Sequence, residues 1–158
     1  MKVKAILACD MNYGIGKNGD LPWPRSSRDM AWFRNNTIDG VVLMGRQTWL
    51  SIGSKPLPNR VNVVVSGRQL EGPEYTTSGD MKMILDRLVN RYPEQDIWVI
   101  GGADVYEQAL PYCDQLYLTR ISRDYDCDRF VDSDITKEFP QNIFRMQDKE
   151  LSFQIWEK

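Results

Sequence analysis

Three short runs constrain the fold most: VVLM (41–44), VVV (63–65) and WVI (98–100) are apolar at every position. A strand with one wet face alternates polar with apolar, whereas a strand covered on both faces does not, and uniform runs therefore mark a parallel sheet between layers of helix. Helical spacing fills the intervals. The pattern predicts helices near Arg28–Asn36, Gln47–Ile52, Asp80–Asn90 and Ala103–Leu110, with Met81, Ile84, Leu85 and Leu88 on one face of the third. Further strands are read in KVKAILACD (2–10), weakly at Glu74–Thr77, and in QLYLTRIS (115–122). The end, LSFQIWEK, alternates with period two and follows no crossover helix, so an antiparallel edge strand is expected there. With no repeat, linker or low-complexity stretch, residues 1–158 read as one α/β domain.

Charge narrows the partners. Twenty basic and 22 acidic residues give a net charge of −2 without blocks, so nothing favours nucleic acid or an anionic membrane, and a small solute is the expected ligand. Cys9, Cys113 and Cys127 are an odd set without C-x-x-C spacing, which speaks against a disulfide framework and a zinc site. No secretory h-region and no long apolar stretch is present, so a cytoplasmic location is expected. The absence of histidine removes the commonest general base. Acid-base chemistry is left to carboxylate, tyrosine, lysine, cysteine or the substrate.

GIGKNG (14–19) has the G-x-G-x-x-G spacing of a dinucleotide turn. That motif works only when a helix starts on the glycines and faces the pyrophosphate. Here DLPWPR follows, and Pro22 and Pro24 forbid such a helix. The segment reads as a loop, not a phosphate cradle. Better anion sites follow the parallel strands, where open α/β sheets bind ligands. These are Gly45-Arg46-Gln47-Thr48, Ser66-Gly67-Arg68 and Gly101-Gly102-Ala103, which combine close backbone approach, hydroxyls and guanidinium forks. Any one of them is also an ordinary tight turn or surface charge. Together they fit a nucleotide with a pyrophosphate and a further ribose phosphate, NADPH rather than NADH.

Asp29 stands in SSRDMAWF, where Ser26 is a natural N-cap and an acid three residues later suits the helix dipole. It is also surrounded in sequence by Trp23, Met30, Trp32 and Phe33. A carboxylate in such company suits two parallel hydrogen bonds to an amidine-like ring edge, as in a pteridine.

Taken in order, GIGKNGDLPWP, DMAWF, MGRQTWLSIG, PLPNR, IGGADVYEQAL and LYLTRI resemble the dihydrofolate reductase family over essentially the whole chain. The resemblance implies a mostly parallel eight-stranded sheet flanked by about four helices with an antiparallel C-terminal strand, and reduction of 7,8-dihydrofolate by NADPH. It implies that Asp29 grips N3 and the 2-amino group of the pterin, supported by Thr119, with Trp23 ordering a water. Met30, Phe33, Ile52 and Leu57 would line the p-aminobenzoyl slot, and Arg60 would meet the glutamate α-carboxylate. Ile6, Ala8, Ile15, Ile100 and Tyr106 would surround the two rings, Tyr106 at the catalytic centre. Gly45, Gln47, Thr48, Gly102, Ala103, Asp104 and Val105 would form the pyrophosphate turn, and Arg46, Ser66, Gly67 and Arg68 the 2′-phosphate site. Gly16 and Leu21 would belong to a mobile lid, and the Gly101-Gly102 bond would be cis. The resemblance also implies a monomer and sensitivity to antifolates such as methotrexate. CDRFVD (127–132) resembles the family's D-T-x-F-P stretch only loosely, and Asp104 puts no positive charge beside phosphate. Two rivals stay open: a reductase of the same fold acting on another pteridine-like or aminopyrimidine substrate, and a catalytically silent NADPH-binding scaffold.

Overall fold

The computed structural model describes residues 2–24 and 26–158. In chain order the elements are β1 (Val3–Cys9), β2 (Gly14–Gly16), α1 (Ser27–Thr37), β3 (Val41–Gly45), α2 (Arg46–Ser51), β4 (Val61–Val65) and β5 (Tyr75–Thr77). They continue with α3 (Met81–Arg91), β6 (Ile97–Gly101), α4 (Ala103–Ala109), β7 (Gln115–Ile121), β8 (Arg129–Phe130), β9 (Gln141–Asp148) and β10 (Leu151–Glu157). The main sheet has eight strands in the order β5-β4-β3-β6-β1-β7-β10-β9, and its first six are parallel neighbours.

The uniformly apolar strands are explained by two cores, one on each face of the sheet. Val41 and Leu43 of β3, with Ile97 and Val99 of β6, face a cluster completed by Met81, Ile84, Leu85 and Leu88 of α3 and by Val105, Tyr106 and Ala109 of α4. The alternate residues Val42, Met44 and Trp98 face a second cluster with Ile6 and Trp49, against which Trp32 and Phe33 of α1 and Ile100 pack. Capping of α1 matches expectation, since Ser26 Oγ accepts from Asp29 N at 3.0 Å; the structure adds a cap at Asp80, whose carboxylate accepts from Met83 N at the start of α3.

One expectation is corrected. β10 is not an edge strand, because it pairs antiparallel with β7 on one side and with β9 on the other. Period-two alternation reports which face of a strand is wet and says nothing about whether its hydrogen-bonding edge has a neighbour. The edge is β9, whose residues are mostly exposed and polar. The small ribbon of β2 and β8 is likewise absent from the sequence pattern, because each strand is too short to carry a period.

Candidate active site

Beyond the carboxyl ends of β3 and β6 the two glycine turns meet. A Cβ on Gly45 would lie 3.1 Å from Val105 Cγ2 and 3.7 Å from the Gly101 carbonyl, so a side chain there would push on the first turn of α4 by a few tenths of an ångström. The Gly101–Gly102 peptide bond is cis. A Cβ on Gly101 would approach Thr48 Oγ1 at 3.2 Å and the Tyr106 hydroxyl at 3.4 Å, which places both hydroxyls against the same turn. Tyr106 donates from its buried hydroxyl to the Ile6 carbonyl at 2.7 Å. Burial holds its pKa far above the ordinary tyrosine range, so the group stays a donor and does not shuttle protons. Arg46 and Arg68 are exposed, and neither is in an ion pair among the described residues. Arg68 N donates to Ser66 Oγ at 3.2 Å, folding the β4 turn back on its own hydroxyl. Gly67 is exposed, Ala103 is half-buried, Val105 is buried against Gly45, and Asp104 points into solvent. A cradle of glycines with flanking unpaired guanidiniums suits a dinucleotide phosphate group.

The slot lies on the α1 side of the sheet. Ile6 is buried, and Phe33, Ile52, Leu57 and Ile100 are half-buried around it in the second core. Met30 is 49% exposed and stands outside both cores. Asp29 is half-buried, and no side-chain hydrogen bond or ion pair engages its carboxylate among the described residues; burial alone pushes its pKa up. Trp23 is buried and its Nε1 has no partner among the described residues. Thr119 is buried on β7, paired in register with Ala8, and makes no direct hydrogen bond to Asp29. A cavity of about 550 Å³ is lined by Asp29 together with Trp23, Tyr125, Ile121 and the β9–β10 hairpin. Arg28 crosses that opening to Asp148 at 2.8 Å.

GIGKNG takes a form the spacing alone does not give. No helix starts on it, as the prolines require. Gly14 and Gly16 are strand residues of β2, and the left-handed conformation that favours glycine is taken by two adjacent residues, Asn18 at φ +53° and Gly19 at φ +81°. A Cβ there would come within 2.7 Å of Gln47 Nε2, so the loop tip touches α2 beside the phosphate turn. Asp128 does reach this loop: its Oδ2 accepts from Asn18 N at 2.9 Å, and its own N–H donates to the Gly16 carbonyl. Ile15 is half-buried and Leu21 is 42% exposed.

Three contributors escaped sequence reasoning. Buried Asn62 accepts from Leu57 N and donates to the carbonyls of Leu57 and Arg60, shaping PLPNR. Thr37 accepts from Arg60 Nη1 at 3.0 Å, and the guanidinium lies 5.9 Å from the Phe33 ring, so Arg60 is held against the C-terminal part of α1. Asp10 is fully buried at the end of β1. A polar residue within or directly after an apolar strand was the available signal for both, Asn62 as the second residue of β4 and Asp10 just after β1.

An open α/β sheet that gathers an anion cradle and a carboxylate-ended slot beyond the same strand ends belongs to the class of small-molecule-binding α/β proteins. The family model for dihydrofolate reductase matches residues 2–155. Similar proteins include the dihydrofolate reductases of Rattus norvegicus (34% identical, 99% of this chain and 97% of that protein) and Bacillus subtilis (41%, covering 80% and 73%). Among solved structures, a dihydrofolate reductase from Enterococcus faecalis complexed with NADP(H) and RAB-propyl superposes with a TM-score of 0.83 at 27% identity, covering 99% of this chain and 95% of that one. The chain belongs to the dihydrofolate reductase family, and its activity is the NADPH-dependent reduction of 7,8-dihydrofolate to tetrahydrofolate.

Proposed function

We propose the division of labour behind that activity, carried chiefly by one observation: the Asp29 carboxylate, its pKa raised by burial and without a partner among the described residues, stands on α1 one turn before Phe33, which packs on the second core. Asp29 accepts two hydrogen bonds from N3 and the 2-amino group of the pterin, and Thr119 supports it through a bridging water. The unpartnered Nε1 of Trp23 supports a role in ordering a water there. Met30, Phe33, Ile52 and Leu57 hold the p-aminobenzoyl ring, and Arg60 pairs with the glutamate α-carboxylate. Ile6, Ala8, Ile15, Ile100 and Tyr106 enclose the reacting rings.

The cofactor site fits the residues present. Gly45, Gln47, Thr48, Gly101, Gly102, Ala103, Asp104 and Val105 surround the pyrophosphate, and Arg46, Ser66, Gly67 and Arg68 surround the 2′-phosphate. Gly16 and Leu21 move with the lid. Bound NADPH supplies the hydride that passes from nicotinamide C4 to pterin C6. The protein aligns the two rings and limits water, while the proton for N5 comes from solvent; Asp29 binds and tunes the pterin rather than reaching N5. The chain works as one domain (1–158) and a monomer in the cytoplasm; among the described residues no helix is long and apolar enough to cross a membrane. Light scattering at the mass of a dimer would contradict the monomer.

NADPH absorbance decides the reading: it falls on adding 7,8-dihydrofolate and the fall stops with methotrexate. NADPH loss that ignores dihydrofolate would overturn it. Arg60→Gln separates the family's substrate from an aminopyrimidine without a glutamate tail, since loss of one charge-assisted pair raises KM about 10–100-fold only for a tailed substrate.

A further inference from the structure

Asp10 is fully buried, yet nothing in the reaction uses it. Its two oxygens divide their partners by segment. Oδ1 accepts from Asn12 N at 2.9 Å and Gly14 N at 2.8 Å, both at the root of the lid loop. Oδ2 accepts from Tyr125 N at 3.0 Å and from the Cys127 thiol at 3.4 Å, both on the segment between β7 and β8. One carboxylate therefore joins two stretches of chain more than a hundred positions apart.

The joint is tight. A Cβ on Gly14 would fall 2.4 Å from both Cβ and Sγ of Cys127, so the segments can close this far only with glycine at 14. The Cys127 thiol pKa is pushed up to about 12, by burial first and then by its bond to Asp10, so the sulfur keeps its proton and remains a donor. From this joint a short path leads to the site: the Tyr125 ring packs against Trp23, with centroids 5.7 Å apart and planes tilted by 60°. Trp23 and Tyr125 line the same cavity as Asp29.

We infer that Asp10 is a positioning residue for the reduction, fixing Tyr125 and through it the Trp23 indole beside Asp29. The inference rests on Trp23 and Asp29 forming the pterin end of the site. Neutral asparagine at position 10 offers one carbonyl oxygen and one NH₂. Whichever way it turns, the NH₂ confronts N–H or S–H donors and one segment loses its acceptor. Tyr125→Leu keeps the backbone N–H that Asp10 accepts from and removes the ring's contacts with Trp23 and with the exposed Arg123 guanidinium.

The test labels the chain with 5-fluorotryptophan and assigns the Trp23 ¹⁹F resonance by its loss in Trp23→Phe. Asp10→Asn and Tyr125→Leu should each shift that resonance and lower kcat about tenfold or more, with NADPH affinity within twofold. The double variant should be no slower than Asp10→Asn alone, since both act along one path. Cys127→Ser, which restores an O–H donor, should return the wild-type resonance where Cys127→Ala does not. An unmoved Trp23 resonance with wild-type kcat in either single variant, or losses that multiply in the double, would overturn the inference. If Asp10→Asn does not fold, Tyr125→Leu decides alone. The resonance reports Trp23 whether or not the enzyme turns over, so a wild type inert toward dihydrofolate counts against the site reading, and a fixed resonance against the joint.

Discussion

Asp10 and Asp29 are both aspartates withdrawn from water at the end of the molecule where ligands bind, yet their surroundings are opposite. Burial works to raise the pKa of Asp10, but hydrogen bonds from Tyr125, Gly14, Asn12 and Cys127 outweigh it and hold the carboxyl below the ordinary range. Asp29 is half-buried and has no such donors among the described residues, so desolvation acts unopposed and its pKa rises. The first carboxylate is satisfied by its own chain and organises it. The second is left unsatisfied, which costs stability and keeps its hydrogen-bonding capacity for a ligand.

The largest effect that sharpens this contrast is on turnover. Asp29→Asn should lower kcat at neutral pH about 100-fold or more, leave NADPH affinity within twofold, and recover partly in acid, where substrate arrives already protonated. Steady-state rates across pH check this, and unchanged turnover at pH 7 would break the assigned role. Next comes stability. Because Asp10 loses half its acceptor capacity in Asp10→Asn, unfolding in urea should show a loss of about 2–3 kcal/mol at neutral pH.

The pH dependence of that loss has a fixed sign. A carboxyl whose folded pKa lies below its unfolded value contributes stability that is present above the ordinary value of 3.8 and is lost as pH falls through the folded pKa. The gap between wild type and Asp10→Asn should therefore narrow as pH falls below that value, and urea midpoints measured down that range would reveal it. A gap that widens in acid would contradict the assignment.

Much of this was legible in the sequence because it depends on short-range physics. Uniform apolar runs gave the parallel sheet, Ser26 the helix start, and Pro22 with Pro24 the failure of GIGKNG as a phosphate motif. The glycine turns after β3 and β6 were legible as strand-to-helix turns because glycine at a strand end permits a tight connection. What was not legible depends on partners distant in sequence. Asp10 reads as a strand end until Tyr125 and Cys127 arrive from the far side of the chain, and Thr37 reads as a helix end until Arg60 docks on it. The place of β10 inside the sheet was hidden for the same reason, since its neighbour β9 has a mostly exposed and weakly patterned sequence.

The contrast between the two aspartates has one direct test, parallel urea unfolding of Asp29→Asn and Asp10→Asn at pH 7. A folded pKa raised above its unfolded value makes ionisation at neutral pH a cost, so removing the Asp29 charge should stabilise the fold by about 0.5–1 kcal/mol, the lower range reflecting its partial exposure. The account predicts opposite signs, with Asp29→Asn more stable than wild type and Asp10→Asn less. Two variants destabilised alike would contradict it.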